Sequence, residues 1–349
     1  MGTDERHNHG RAADPALSVR WTVEITGGGV AAACCDHLLT KEGADIRRPP
    51  QARAAIPALM LSDPARALLR DCLDQPSLFS DKPRITRRIV AWGGQEPVAL
   101  PHQAVMLGAG DLDFAPSGNA HATGDAEWTI TTTRTSPDDQ LERFGDRFGE
   151  TAPVRLLEAD DAQACWVEAV EDGWLFMIPS GAETGWLLAI GAPCAHLLDQ
   201  SRHLAPRLAL DASKTAQFDT TPRMLRTMAK EGFLACGSAS MAFDPICGDG
   251  TALSVRQAIL VSAIAVACHE GEDAEPLLGH YRAMMTAAMR RHLRLCSEFY
   301  ASGGTGPWWR AQQEALAEGF AACSARLERE PPPRYALEGF RLVPRELAT

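Results

Sequence analysis

A chain that passes from strand to helix through consecutive glycines is confined to few architectures, and this sequence does so near its start. The apolar run Trp21-Thr22-Val23-Glu24-Ile25 leads into Gly27-Gly28-Gly29-Val30-Ala31-Ala32, and a helical pattern follows over 30–40. Residues without bulk at such a turn let backbone amides close on a pyrophosphate at the helix N-terminus. Ala32 stands where a G-x-G-x-x-G pattern has its third glycine, a position that needs only a small side chain for helix and strand to approach. A second glycine segment lies well towards the other end: Gly237-Ser238-Ala239-Ser240-Met241-Ala242-Phe243-Asp244-Pro245-Ile246-Cys247-Gly248-Asp249-Gly250. It follows an apolar strand, Gly232-Phe233-Leu234-Ala235-Cys236, bends at Asp244-Pro245 and enters a long helix over 252–268.

In this order the two segments resemble the FAD-contacting motifs of the flavoprotein monooxygenases, a superfamily that includes the flavin-dependent tryptophan halogenases. The resemblance implies FAD as cofactor, with its pyrophosphate against Gly27, Gly29 and Ala32. Its ribityl chain and ring would meet Gly237, Ser238, Asp244, Pro245, Gly248, Asp249, Gly250 and Thr251. Asp172-Gly173-Trp174-Leu175-Phe176-Met177-Ile178-Pro179 resembles the halogenase signature W-x-W-x-I-P with Phe176 at the second Trp, and 185–190 follows as its hairpin partner. The likeness extends through a helix over 281–299, a break at Tyr300-Ala301-Ser302-Gly303-Gly304, and Pro307-Trp308-Trp309-Arg310. Within the superfamily the chain looks most like the flavoproteins of lysine-oxidase and glycine-oxidase operons and of quinohemoprotein amine dehydrogenase maturation. There the partner is a protein whose own Trp is oxidised to a quinone cofactor.

The implied fold is α/β: a Rossmann-like FAD-binding domain of the p-hydroxybenzoate-hydroxylase type, an inserted mixed β-sheet substrate domain, and C-terminal helices. The expected layout is a mobile tail at 1–19, the FAD-binding domain at 20–90 and 213–300, the substrate domain at 91–212, and a C-terminal helical segment at 301–349. At 349 residues the chain exceeds a usual single core. Helical patterning also marks 64–72 and 311–327, while 128–133 and 166–170 alternate as half-buried strands do.

Departures from the family pattern bear on affinity. Where a carboxylate should take the adenosine ribose hydroxyls, Gly43-Ala44-Asp45-Ile46-Arg47-Arg48 runs into Pro49-Pro50, so Arg47 is the residue left to face the cofactor. The strand that usually ends Ala-Thr-Gly corresponds to Ile130-Thr131-Thr132-Thr133-Arg134, and the usual Gly-Asp is Gly237-Ser238. About three lost hydrogen bonds at about 1 kcal/mol each would weaken FAD binding by about a hundredfold.

Composition excludes other classes. The net charge is −11 and the basic run Arg84-Ile85-Thr86-Arg87-Arg88 stands alone, so there is no nucleic-acid footprint. That run reads as a solvated strand edge, with an acidic peptide or the flavin phosphates as alternatives. No window reads as a membrane span, and Met1 to Val19 lacks the apolar centre of a signal peptide, which gives a cytoplasmic expectation. The ten cysteines sit mostly among Ala, Leu and Val without a C-x-x-C, so they read as reduced, buried hydrophobes, Cys247 included although it lies inside the flavin-like segment. His7 and His9 belong to the tail and read as solvated rather than as a metal site.

The resemblance also implies the chemistry: reduced flavin activates O₂, and the protein orients the substrate and excludes water. Electrons would come from an external reduced flavin or NAD(P)H source. A halogenase further needs a lysine to capture hypohalite, eight residues before a Trp that matches Trp92, and that count lands on Arg84. Arginine stays protonated and is a poor nucleophile. Of the four lysines, Lys41, Lys82, Lys214 and Lys230, only Lys82 stands near enough to substitute. Hydroxylation of an aromatic, Trp-type substrate, in a protein or peptide as the resemblance implies, is therefore favoured over halogenation through Lys82. A flavin-poor binding protein is a third reading, motivated by Pro50, Thr133 and Ser238. Asp244 serves as an acid or as a turn-former, and His102 and His121 are proton-shuttle candidates because imidazole titrates near neutrality. Glu168 and Glu183 flank the hairpin strands without a decided role.

Overall fold

The computed structural model describes residues 21–49, 58–115, 125–135, 137–248, 250–330 and 334–345. The tail with His7 and His9, and also Pro50, His121, Asp249 and the prolines at 331–333, lie outside the described residues. From the first glycine turn the chain builds β1 (Thr22–Thr26), α1 (Gly29–Lys41) and β2 (Asp45–Arg47), with β1 and β2 parallel and Glu24 opposite Arg47. β3 (Ala58–Ser62), α2 (Asp63–Cys72), β4 (Arg84–Ala91) and β5 (Val98–Gly108) then enter a larger sheet. β6 (Trp128–Thr131) returns to pair with β1 in parallel. β7 (Leu141–Arg143), β8 (Phe148–Leu156), β9 (Ala164–Val170), β10 (Gly173–Pro179), β11 (Thr184–Ile190), α3 (Cys194–Gln200), β12 (Leu208–Leu210), β13 (Ala216–Asp219) and β14 (Arg223–Leu225) follow. The chain ends through β15 (Ala229–Lys230), β16 (Phe233–Ala235), β17 (Met241–Ala242), α4 (Gly250–His269), α5 (Ala274–Gly303), α6 (Pro307–Leu327), β18 (Tyr335–Glu338) and β19 (Arg341–Pro344).

Two sheets carry the architecture. The smaller has the order β15-β16-β6-β1-β2, parallel from β16 to β2; the larger has the order β12-β8-β11-β10-β9-β4-β5-β3, with β13 also on β8. This is the α/β arrangement with a mixed sheet that the sequence implies. Strand membership nevertheless interleaves along the chain: β3 and all but the last residue of β4 belong to the large sheet although they lie within 20–90, and β6 belongs to the small one although it lies within 91–212. A parallel neighbour for β1 has to come from a distant return of the chain, and the run Trp128-Thr129-Ile130-Thr131 supplies it with Trp128 and Ile130 buried.

The β10–β11 hairpin forms as its apolar alternation suggests, with Trp174 opposite Ile190 and Ile178 opposite Trp186. Both faces of β10 are covered. Leu175 and Met177 face a core that includes Leu197 of α3, while Trp174 joins the main core with Tyr300 and Trp309. The Trp308–Trp309 pair closes this core: Trp309 is fully buried and its indole N–H donates to Val170 O at 2.9 Å.

Three expectations need correction. α5 runs unbroken through Tyr300, Ala301 and Ser302 to Gly303, because Tyr300 and Gly303 both face the core. The C-terminal segment is not helical throughout, since β18 and β19 pair as a hairpin after α6. Finally, α4 is long and apolar enough by composition to cross a membrane, with a mean hydropathy of 1.7 in its best window, contrary to the expectation that no such window exists. Two-thirds of that window is buried, 67%, where α4 packs on α1, α2 and α5, and a helix apolar all round is what such a position requires.

Candidate cofactor and active site

The two glycine segments come together. Gly27 has φ +98° and Gly29 φ +77°, a region that only glycine enters freely. A Cβ on Gly27 would stand 2.5 Å from Thr132 Oγ1 and 2.7 Å from Thr133 N, so the turn is pressed against the end of β6. Gly28 N–H donates to Thr133 Oγ1 at 3.2 Å, and Thr132 Oγ1 donates to Thr26 O at 3.1 Å. Thus Thr132 and Thr133 bind the glycine turn themselves. At the N-terminus of α1, Gly28 is the cap residue, no side chain caps the helix and no acidic residue lies in its first turn. Such an end favours an anion.

The second segment packs on the same place. Gly237 has φ +58°, and a Cβ there would lie 2.9 Å from Ala31 Cβ. Ser238 Oγ donates to Thr132 O at 3.3 Å. Gln257 of α4 holds the turn from behind, its Oε1 accepting from Gly237 N–H at 2.6 Å and from Ser240 Oγ at 3.1 Å. Ala32 is fully buried between helix and strand, as a small residue at that position should be. Further along, a Cβ on Gly248 or Gly250 would meet nothing within 4 Å, so both glycines border open space.

Asp244 is not a solvent-facing acid. Its side chain is fully buried with that of Arg147, whose Nε lies 3.4 Å from Asp244 Oδ2. Tyr300 OH donates to Asp244 Oδ2 at 2.7 Å, Trp174 Nε1–H donates to Tyr300 OH at 3.2 Å, and Ile246 N–H donates to Asp244 Oδ1 at 2.9 Å. The last bond fixes the Asp-Pro turn. Burial pushes the Asp244 carboxyl up, opposed by Arg147, and pushes the Tyr300 hydroxyl up as well. Arg147 also lies over the Tyr300 ring, 4.9 Å from its centroid. His292 accepts from Asp244 N–H at 2.8 Å and stacks on Phe243 at 3.9 Å; burial and then Arg147 push its pKa down to about 3, so it is neutral. Sequence reasoning missed Arg147, Tyr300, Trp174, His292 and Cys296 as a connected set. They come from three separate places along the chain, Arg147 before β8, Trp174 on β10, and His292, Cys296 and Tyr300 on α5, and only the scarcity of tyrosine, three in all, marks Tyr300 in advance.

The remaining expected residues lie apart from this cluster. Lys82 Nζ is 2.8 Å from Asp111 Oδ1, and Arg84 Nη2 is 2.7 Å from Asp63 Oδ2, so both cations are paired. His102 of β5 lies 3.5 Å from Arg88, and burial followed by that cation lowers its pKa, which keeps the ring neutral. Arg47 Nε donates to Glu24 across β1 and β2 at 2.6 Å. Next to it Arg48 reaches the buried Asp36 of α1 at 3.2 Å. Glu168 is buried and accepts from Ser201 and from the backbone of Arg202, His203 and Leu204, a structural task.

No protein-family model matches the chain, and no curated protein matches its sequence. Solved structures do. CmlS, a flavin-dependent halogenase, superposes with a TM-score of 0.69 at 14% identity over 89% of this chain and 72% of that one. The chain has the fold of the flavin-dependent halogenases. A second similar structure is QhpG, a peptidyl tryptophan dihydroxylase essential for tryptophylquinone cofactor biogenesis, with a TM-score of 0.65 at 17% identity over 84% of this chain and 79% of that one. The myxobacterial chondrochloren halogenase CndH, an FAD-dependent enzyme, gives 0.66 at 13% identity over 88% and 90%.

Proposed function

We propose that this chain is an FAD-dependent oxygenase that adds oxygen to an aromatic ring of tryptophan type, presented within a partner polypeptide. The observation that carries the reading is the seating of Gly237 on Ala31 and of Ser238 on Thr132, which joins the two glycine segments at the uncapped N-terminus of α1. Residues fit the group at the pyrophosphate: left-handed glycines, a helix end without a competing acid, and no side chain to intrude. The open stretch at Gly248 and Gly250 suits the ring. At the ribose the fit is poorer, because β2 ends in Arg47 and Arg48 follows it, both paired with carboxylates. FAD is therefore expected to bind, but less tightly than with a ribose-binding carboxylate. When bound and reduced by an external source, the flavin supplies activation of O₂.

This chain's own residues favour oxygenation over halogenation. Hypohalite capture needs a free amine, and the one lysine near the required position is held by Asp111. The Arg147, Asp244, Tyr300 and Trp174 network fixes the turn that precedes Gly248. Among similar folds, QhpG acts on a peptidyl tryptophan, which supports a polypeptide substrate here. The test is to supply reduced FAD, O₂ and bromide with either free tryptophan or a tryptophan-containing polypeptide. Mass gain in oxygen units on the polypeptide supports the proposal. Enzyme-dependent bromotryptophan, lost in Lys82→Ala, would establish halogenation in its place, and turnover of free indoles alone would remove the polypeptide substrate.

A further inference from the structure

The second glycine segment carries a thiol that flavin chemistry leaves without a role. Cys247 is half-buried at the end of the Asp-Pro turn, and its Sγ lies 3.6 Å from the Sγ of Cys296, which is buried on α5. Two other thiol pairs occur among the described residues, Cys34 with Cys72 and Cys35 with Cys236. All four of those sulfurs belong to buried residues, so no solution oxidant reaches them. Cys247 alone joins a half-buried cysteine with a buried partner, and it stands beside the exposed Gly248, where an added methyl group would meet nothing within 4 Å.

His292 completes the cluster, with Nε2 3.3 Å from Cys296 Sγ. Two cysteines and a histidine can hold zinc, and the three ligand atoms lie within 4.8 Å of one another. The imidazole, however, is already committed: its Nε2 lone pair accepts Asp244 N–H at 2.8 Å, and its ring lies flat on Phe243. The geometry points instead to the two sulfurs.

We propose that Cys247 and Cys296 form a peroxide-sensitive pair, in which Cys247 is oxidised first and Cys296 resolves it to a disulfide. In the first step the Cys247 thiolate attacks hydrogen peroxide: an S–O bond forms, the O–O bond breaks, and hydroxide leaves. In the second step Cys296 attacks the sulfenic sulfur, the S–S bond forms, the S–O bond breaks, and the departing hydroxide takes the thiol proton as water. Both sulfurs are oxidised and the peroxide is reduced to water. The order follows from access, because Cys247 meets solvent whereas burial raises the Cys296 pKa and keeps it a thiol. The product would tie the turn before α4 to α5. Peroxide is also what reduced flavin and O₂ release without a substrate, a link that rests on the proposed function; a test with added peroxide does not.

The purified full chain is exposed to graded hydrogen peroxide, remaining thiols are alkylated, and the digest is mapped by tandem mass spectrometry. A Cys247–Cys296 linked peptide should accumulate while Cys268, half-buried and without a thiol partner among the described residues, stays alkylated. Cys296→Ser should stop the reaction at a sulfenic acid on Cys247 that dimedone traps, and Cys247→Ser should leave Cys296 reduced. Circular dichroism of each variant confirms that it is folded. Full alkylation of Cys247 after peroxide, indiscriminate oxidation of several cysteines, or stoichiometric zinc that shields both thiols would overturn the proposal.

Discussion

Neutralising Asp244 should unseat the turn that carries the second glycine segment. The Asp244 carboxylate and Arg147 guanidinium are both fully buried and 3.4 Å apart. At that separation and an effective dielectric of about 20, their attraction is about 5 kcal/mol. Breaking a buried pair from one side costs about 3–5 kcal/mol, because the remaining charge is left in the interior without its partner. Asp244→Asn keeps an oxygen for Ile246 N–H but strands Arg147, so a loss of about 3–5 kcal/mol is expected. Arg147→Met strands the carboxylate, which still accepts from Tyr300 and Ile246, and should cost somewhat less. The double variant removes both charges and should be more stable than the summed losses by about 2–3 kcal/mol. Urea unfolding of the four proteins at about pH 8, where carboxylates ordinarily ionise, gives each value from the midpoint and slope. Strictly additive losses would refute the reasoning, since they would mean that the two side chains do not sense each other.

The remaining expectations are more local. Gly27→Ala places a methyl 2.5 Å from Thr132 Oγ1 at φ +98°, so it should abolish FAD binding and lower thermal stability, as read by flavin fluorescence and calorimetry. His292, with its pKa near 3 against about 6.5 unfolded, binds fewer protons folded than unfolded between those values. Its contribution is therefore complete above about pH 6.5 and is lost as pH falls towards 3, by up to about 1.4 kcal/mol per unit; His292→Gln should flatten that slope in a pH series of unfolding curves. Lys82→Met breaks a partly exposed pair with Asp111 and should leave the urea midpoint nearly unchanged, with the oxygenation rate unchanged in an oxygen-uptake assay.

Much of the fold is legible in the sequence because backbone conformation and local pattern dictate it. Glycines that need positive φ announce the turn after β1, and alternation announces β6, β9 and the β10–β11 hairpin. The long apolar run after Gly250 announces α4, although Arg256 and Ser262 within it hide how apolar the whole helix is. Reading α5 as broken at Tyr300 gives local propensity too much weight, because burial of Tyr300 under Trp309 carries the helix on to Gly303. The C-terminal hairpin is hidden beneath a helical expectation drawn from the preceding segment. The two glycine segments are visible for the same reason as the turns. The buried polar set is not: Arg147 looks like any surface arginine in sequence, and only the fold reveals that Asp244, Tyr300 and Trp174 surround it. Cys247 likewise reads as packing until α5 brings Cys296 against it.

The central claim is that one flavin lies along the joined glycine segments, and titration of the purified chain with FAD tests it most directly. Wild-type protein should quench FAD fluorescence saturably and shift its visible spectrum, while Gly27→Ala, shown folded by circular dichroism, should do neither. No saturable binding up to high micromolar FAD, or binding that Gly27→Ala leaves unchanged, would contradict the account.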